Sequence, residues 1–205
     1  MQALETQPLL LDVRSITLRV THEEFEKLCQ DNPERSFELT ASGELIVMPP
    51  VGGESGSYES ELGIDLGNWN RQTRLGKTFS SSTVFVLPNG ANRSPDAAWV
   101  ALSRWEALTP EQRKKFPPLA PDFVIELRSA TDRLPPLREK MEEYKANGVR
   151  LGLLIVGGAS LKENPQNRQV EIYRLGREPE SLTSPTSIDC SEVMPDFILS
   201  LSEIW

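Results

Sequence analysis

Residues that bind zinc or carry redox chemistry are scarce in this sequence. It contains a single histidine, His22, and two cysteines, Cys29 and Cys190, which lie far apart and form no CxxC pair. Protein zinc sites take about three or four such ligands, so this shortage excludes most zinc enzymes. His22 also falls within a helix-capping sequence, which predicts a position at the surface rather than a catalytic one.

Long hydrophobic runs are absent as well. No stretch approaches the roughly 18 apolar residues of a membrane span, which predicts a protein without a membrane partner. The N-terminal segment MQALETQPLLLDV lacks the basic start and the extended apolar run of a secretory signal. We therefore expect a cytoplasmic location.

Positive charge is in short supply. The 205 residues include 22 lysines and arginines against 30 aspartates and glutamates, which gives a net charge of -8. Such a chain does not bind nucleic acid by bulk electrostatics alone. Nucleic acid is still an allowed substrate, because carboxylates that hold Mg²⁺ make a site acidic until the ion arrives to meet the phosphate.

The remaining composition is that of a globular chain, with 38% hydrophobic and 25% charged residues and a length that suits one domain. Hydrophobic periodicity predicts main helices from the Thr21 cap to about Cys29, at about 58–72 and at about 135–147. It predicts a β-hairpin of 37–39 and 45–48, and further β-segments at 79–87, 96–102, 123–127, 151–156 and 170–173. This order predicts an α/β fold, a mixed β-sheet flanked by helices.

Glu126 interrupts an apolar strand, VIEL, whose neighbours predict burial. An unpaired buried carboxylate costs several kcal/mol, so something must compensate it. One explanation is a salt bridge to Arg128, which lies on the same face of the strand, or an edge position at which Glu126 meets water. The other explanation is a metal ligand.

Asp96 lies where a loop becomes an apolar strand, after Arg93, Ser94 and Pro95. A Pro-Asp pair at a strand start is often only a turn device. Here a strand-borne glutamate follows about 30 residues later, and adjacent strands would bring both carboxylates to one end of a sheet. Such oxygen ligands suit Mg²⁺, which needs only one or two carboxylates from the protein.

Lys140 borders the apolar stripe that Leu137, Met141 and Tyr144 form on the third helix. A lysine there either extends its aliphatic stem over the hydrophobic face or stabilises negative charge beside a metal and a phosphate. The sequence leaves both interpretations open.

Acidic residues also accompany the second helix. Glu54 precedes it in the glycine-rich segment GGESG, and Glu61 and Asp65 edge its apolar stripe. One of these three is a candidate further metal ligand, and the sequence does not choose among them. No GK[ST] follows the glycines, which excludes a P-loop ATPase.

Several of these segments together resemble a known family. They are SPD at Ser94–Asp96, PDFVIELRSATD at Pro121–Asp132, KMEEY at Lys140–Tyr144 with NGVRLGLLIV after it, and FELTASGELIVMPPVGGESG at Phe37–Gly56. The combination resembles the Uma-two family of restriction-endonuclease-like proteins, part of the PD-(D/E)XK nuclease superfamily. Each piece alone is common, whereas the combination is fairly specific.

The resemblance covers about residues 15–175 and implies a restriction-endonuclease-like α/β core. A single domain over 1–205 follows, with 176–205 as a polar C-terminal extension. It also implies hydrolysis of phosphodiester bonds that depends on Mg²⁺ or Mn²⁺, with nucleic acid, expected to be DNA, as the substrate. The superfamily often acts as dimers, so a homodimer is a possible state.

The resemblance also implies residue roles. Asp96 matches the acidic residue of the PD element and Glu126 that of the second half-motif, and both would bind the metal. Arg128 stands where the superfamily usually has a lysine, and arginine cannot act as a base. In this family the following helix supplies the lysine, which points to Lys140, and Glu54 matches an upstream glutamate near the first core helix.

The chain departs from the family in one strand. Members often continue it as WLIDP, whereas Leu153–Gly157 reads LLIVG.

Three hypotheses follow. The first is a Mg²⁺-dependent endonuclease that uses Asp96, Glu126, Lys140 and Glu54. The second is a catalytically degenerate domain that binds nucleic acid or a protein partner without cleavage. The third is a structural or dimerisation module, in which the strand VEIY at 170–173 pairs across a two-fold axis as an exposed edge.

Overall fold

The computed structural model describes residues 16–129, 132–157 and 168–205. The helices are α1 (His22–Asp31), α2 (Gly53–Thr73), α3 (Leu102–Glu106), α4 (Pro110–Lys114) and α5 (Leu134–Ala146). The strands are β1 (Ser36–Leu39), β2 (Leu45–Met48), β3 (Gly76–Ser80), β4 (Phe85–Val86), β5 (Asn92–Arg93), β6 (Ala97–Ala101), β7 (Phe123–Leu127), β8 (Leu151–Val156), β9 (Gln169–Arg174), β10 (Glu180–Thr183), β11 (Ser187–Asp189) and β12 (Ile198–Ser200).

A six-stranded mixed sheet in the order β10-β9-β8-β7-β6-β3 forms the centre of the molecule. Strands β7 and β8 are parallel, as the crossover through α5 requires, and the other neighbours are antiparallel. A four-stranded sheet in the order β2-β1-β5-β4 lies beside it. The predicted α/β fold with a mixed sheet and flanking helices is confirmed.

Strand β7 is buried on both faces and separates two parts of the core. Phe123, Ile125 and Leu127 share a cluster with α2, whereas Val124 shares one with Met141 of α5. Side chains alternate across a strand, so Glu126 points with Val124 toward α5. The position of the candidate carboxylate therefore follows from the register of one strand.

Local signals in the sequence placed several boundaries correctly. Thr21 and Glu24 form both hydrogen bonds of the predicted capping box on α1. The predicted hairpin is present, and Gly43 supplies its positive φ of 83°. Gly148, with a φ of 96°, follows α5 at the predicted end of that helix.

Two helix starts differ from the sequence prediction. Helix α2 begins at Gly53 rather than near Tyr58, because the Gly52 carbonyl already accepts the Gly56 amide at 2.9 Å. The low helix propensity of glycine and serine predicted a loop there, whereas the structure extends the helix over residues 53–57, which are exposed or half-buried. The sequence SRWE at Ser103–Glu106 also has the pattern of a capping box and predicts a helix start at Ser103, whereas β6 runs directly into α3 with Ala101 as the N-cap.

The segment after residue 175, expected as a polar extension, contributes to the sheet and to the core. Strand β10 pairs with β9, so the VEIY segment has a neighbour on both sides and is not an edge. Apolar residues beyond it pack in the same cluster as α2; they include Ile188, Met194, Phe197, Leu199 and Leu201. The prediction that VEIY is an exposed edge available for dimerisation is therefore wrong. The homodimer itself stays a prediction.

None of the described helices is both long enough and apolar enough to cross a membrane.

Candidate active site

A cavity of about 650 Å³ lies between the β1–β2 hairpin, the end of β7 and α5, and its wall includes Asp96, Glu126 and Lys140. Strands β6 and β7 are antiparallel, with Ala97 opposite Ile125, so the residue before β6 lies beside the end of β7. The Leu127 amide donates to Asp96 Oδ2 at 2.6 Å and fixes this arrangement. Two carboxylates remote in sequence thus meet at one end of the sheet.

Lys140 reaches the same place from α5 and is only 8% exposed. Its Nζ lies 2.7 Å from Glu126 Oε1 and 2.8 Å from Glu38 Oε1. The Tyr144 hydroxyl, one helical turn further along, donates to Glu126 Oε1 at 3.0 Å. The structure therefore brings together three of the four predicted site residues.

A salt bridge does compensate Glu126, as one of the two explanations held, but its partner is not Arg128. The Arg128 guanidinium instead donates to the Asp132 carbonyl at 3.1 Å, whereas Glu126 pairs with Lys140 across the interface between β7 and α5. Helical spacing alone predicted Lys140 at the border of the buried face of α5. Its contacts with Glu126 and Glu38 bury the side chain.

Glu54, the fourth predicted residue, lies in the exposed first turn of α2 and is not among the residues that line the cavity. Of the other two acidic candidates, Glu61 also lies outside the lining, and Asp65 accepts the Ser200 amide at 3.3 Å. The acidic residue of α2 that does line the cavity is Glu59. Glu59 falls within the helix predicted at 58–72, but the sequence does not show that its side of the helix faces the cavity.

Glu38 is the second residue that sequence reasoning missed. It lies in β1 between Phe37 and Leu39, is 2% exposed and contacts both Lys140 and Arg93. The signal was available, since Glu38 interrupts an apolar strand just as Glu126 does.

The two carboxylates at the end of the sheet both hold protons more tightly than usual. Burial raises the pKa of Asp96 to about 6, although Lys140 and the Leu127 amide act in the opposite direction. Burial, with repulsion from Asp96 and Glu38, raises the pKa of Glu126 to about 8 against the attraction of Lys140. These carboxyl groups are therefore close to their titration points near neutral pH.

The other charged groups of the cavity are firmly ionised. Burial disfavours the charge of Lys140, but Glu126 and Glu38 outweigh it and hold the Lys140 pKa above its usual value. Burial likewise opposes the charge of Glu38, but Lys140 and Arg93 lower its pKa. A lysine in this state acts as a fixed positive charge and not as a base.

We expect the metal-free protein, kept in a chelator, to lose stability as the pH rises from about 4 to about 8. A raised pKa means that the folded protein keeps a proton that the unfolded chain has released. The stabilisation is therefore present below the ordinary values of 3.8 and 4.5, and it is lost as the pH passes about 6 for Asp96 and about 8 for Glu126. Glu126→Gln cannot ionise and should flatten the upper part of this slope.

Urea unfolding of wild type and Glu126→Gln across this pH range measures the effect. Glu171→Gln is a matched control, because Glu171 is a buried glutamate outside this cavity with a lowered pKa. Equal slopes for wild type and Glu126→Gln between about pH 6 and 8 would contradict a raised pKa at Glu126.

Comparison with known protein families identifies the family of this chain. The model of the family described as "Uma2: Putative restriction endonuclease" matches residues 22–202. The chain belongs to the Uma2 family. No curated protein matches it.

A solved structure supports the fold of this Uma2 protein. It is that of a protein described as a putative nuclease belonging to DUF820, from Anabaena variabilis ATCC 29413. The two share 19% sequence identity and superpose with a TM-score of 0.66, over 83% of this chain and 90% of the other. At this identity the likeness concerns the fold, so the chemistry must be argued from the side chains.

The charges of the cavity test whether a divalent cation fits. Within the described parts of the chain, no three histidine, cysteine or carboxylate side chains form a ready cation cage. Mg²⁺, however, keeps several waters and needs only one or two carboxylates. The carboxylates of the cavity outnumber its two cations, Arg93 and Lys140. Burial and repulsion from Asp96 oppose the charge of Glu126, and a divalent ion would relieve that repulsion, so the residues of this Uma2 protein fit such an ion.

Proposed function

We propose that this protein is a metal-dependent nuclease that hydrolyses phosphodiester bonds of nucleic acid, with DNA as the expected substrate. The observation that carries the proposal is the Lys140 ammonium beside two carboxylates with raised pKa values, Asp96 and Glu126, on the wall of one cavity. Membership in a family described as putative restriction endonucleases points to the same reaction class.

Asp96 and Glu126 would hold Mg²⁺ or Mn²⁺, because carboxylate oxygens are the ligands that both ions prefer. Bound there, the ion would supply an activated water and polarise a phosphate oxygen. Lys140 stabilises the negative charge that develops on the phosphate, and its raised pKa keeps it positive throughout. Tyr144 holds the Glu126 carboxylate in place through its hydroxyl.

The resemblance gave Glu54 an assisting role, and we assign that role to Glu59 instead. Glu59 lines the cavity and is half-buried, whereas Glu54 is exposed outside it. Burial raises the Glu59 pKa, a hydrogen bond from Ser81 opposes the shift, and the nearby Glu126 charge adds to it. Glu59 is thus close enough to the site for the charge of Glu126 to affect its pKa.

A second candidate function is a domain that binds nucleic acid or a protein partner without cleavage. The observation that favours its second form, a protein partner rather than nucleic acid, is the charge of the cavity wall. Its lining includes eight acidic side chains against two basic ones, Arg93 and Lys140, and both are already held in ion pairs. A phosphate backbone would find no unengaged cation on this lining.

The two candidates differ in their response to metal. Supercoiled plasmid, single-stranded DNA and RNA are each incubated with the protein in Mg²⁺, Mn²⁺, Ca²⁺ or chelator. We expect cleavage in Mg²⁺ and Mn²⁺, binding without cleavage in Ca²⁺ and neither in chelator, because the acidic wall repels phosphate without the ion.

Calorimetric titration with Mn²⁺ separates the outcomes of this experiment. Mn²⁺ binding without cleavage of any substrate would favour the second candidate. An absence of Mn²⁺ binding above about pH 8, where both carboxyl groups are ionised, would contradict the proposed nuclease.

A further inference from the structure

Glu38 is the most fully engaged carboxylate of the cavity. Its Oε1 accepts from Lys140 Nζ at 2.8 Å and from the Ser94 amide at 2.9 Å, and its Oε2 accepts from Arg93 Nη1 at 3.0 Å. Each of its two oxygens is thus occupied by a donor of the protein. A carboxylate in this state is poorly suited to bind a metal and well suited to hold other groups.

The three donors come from two parts of the site, since Arg93 and Ser94 are consecutive and Lys140 is remote from them in sequence. Lys140 belongs to α5, Arg93 ends β5, and Ser94 lies two residues before Asp96. Glu38 itself belongs to β1 in the second sheet. One side chain therefore joins the second sheet to the helix that carries the ammonium and to the loop that carries a candidate metal ligand.

Arg93 reinforces this connection. Its Nε lies 2.5 Å from Glu143 Oε2, so the guanidinium bridges Glu38 to α5 at a second point. The Lys140 ammonium also touches the Ser94 carbonyl at 3.4 Å. Without Glu38, Glu126 would be the one carboxylate among the described residues within ion-pair distance of Lys140. The ammonium could then move together with the Glu126 side chain.

We propose that Glu38 is a positioning residue that fixes the Lys140 ammonium between Glu126 and the Asp96 loop. This inference rests on the proposed function, since it assigns Glu38 a part in the same reaction. Glu38 acts through Lys140 and does not itself touch the phosphate or the metal.

Glu38→Gln keeps the size and the hydrogen-bond acceptor but removes the charge that holds Lys140. We expect turnover to fall about 10- to 100-fold, the usual effect of removing a residue that orients the groups in direct contact with a metal. KM and Mn²⁺ affinity should stay within about threefold of wild type. Glu171→Gln is the matched control. Glu171 is an equally buried glutamate that pairs with Arg138 and Tyr173 outside the cavity, and its variant should keep full turnover.

A double-mutant cycle separates positioning from general support of the fold. If Glu38 acts through Lys140, Glu38→Gln should lower turnover no further when Lys140→Met is already present. A further fall as large as in the wild-type background would overturn the inference. Should Glu38→Gln not fold, Glu38→Asp keeps the charge, shortens the reach and enters the same cycle.

The inference also has a readout that needs no activity. We expect the Nζ protons of Lys140, observed by ¹⁵N NMR, to be protected from exchange with solvent in wild type and in Glu171→Gln. They should lose that protection in Glu38→Gln. Unchanged protection in Glu38→Gln would overturn the positioning role. If the wild-type protein cleaves nothing but Glu38→Gln still loses the protection, the proposed function would be contradicted. Glu38 would still be supported as the group that holds Lys140.

Discussion

Replacing Asp96 with asparagine is expected to lower metal-dependent cleavage about 1,000-fold, because losing the ion's several kcal/mol of charge stabilisation corresponds to a change of this size. The variant keeps an oxygen for the Leu127 amide, so the end of β6 should stay in register with β7. What it loses is the negative charge that attracts a divalent ion. Mn²⁺ affinity, measured by calorimetry, should fall together with turnover.

Asp65→Asn is the control for this variant. Asp65 lies on α2 outside the cavity and accepts an amide in the same way, from Ser200. It should leave Mn²⁺ affinity and cleavage unchanged. Cleavage that survives in Asp96→Asn, or is lost equally in Asp65→Asn, would contradict the assignment of Asp96 as a metal ligand.

Lys140→Met is expected to lower turnover about 100- to 1,000-fold, the usual effect of removing one fixed charge or donor that stabilises a transition state. Methionine keeps the aliphatic stem that packs on α5 but removes the ammonium beside Glu126 and Glu38. Mn²⁺ binding should persist, because Lys140 does not provide an oxygen ligand. The signature is therefore loss of turnover with retained Mn²⁺ binding, in contrast to Asp96→Asn.

Lys145→Met on the same helix controls for lost charge. Lys145 pairs with Glu142 and does not line the cavity, so its variant should keep turnover. Thermal melting of Lys140→Met shows whether it is folded, and Glu126 can take up a proton to limit the cost of an unpaired carboxylate. A folded Lys140→Met with wild-type turnover would remove Lys140 from the mechanism.

The sequence predicted the central strands and the meeting of Asp96, Glu126 and Lys140 because the signals for both are local. Glu126 interrupts an apolar strand, Asp96 opens the strand beside it, and Lys140 follows the stripe of α5 at helical spacing. Strand register and helix periodicity then place all three at one end of the sheet. The resemblance to the family selected the same three residues and also Glu54, which lies outside the cavity.

The contacts that the sequence did not predict are tertiary. The pairing of Glu38 with Lys140 joins the second sheet to α5, and no local pattern encodes that contact. Glu59 lies within the predicted helix of 58–72, and only the tertiary fold shows that this side of α2 lines the cavity. The sequence did not predict the strands β11 and β12, because they lie in a polar, turn-rich segment and are only three residues long, although Ile188 and Leu199 pack in the core.

Anomalous diffraction from crystals soaked in Mn²⁺ above about pH 8 tests the central claim most directly, since both carboxyl groups are then ionised. We predict a peak bonded to oxygens of Asp96 and Glu126 at about 2.1 Å, on the cavity side of Lys140. A peak at another cluster of carboxylates, or no peak at saturating Mn²⁺, would contradict the account.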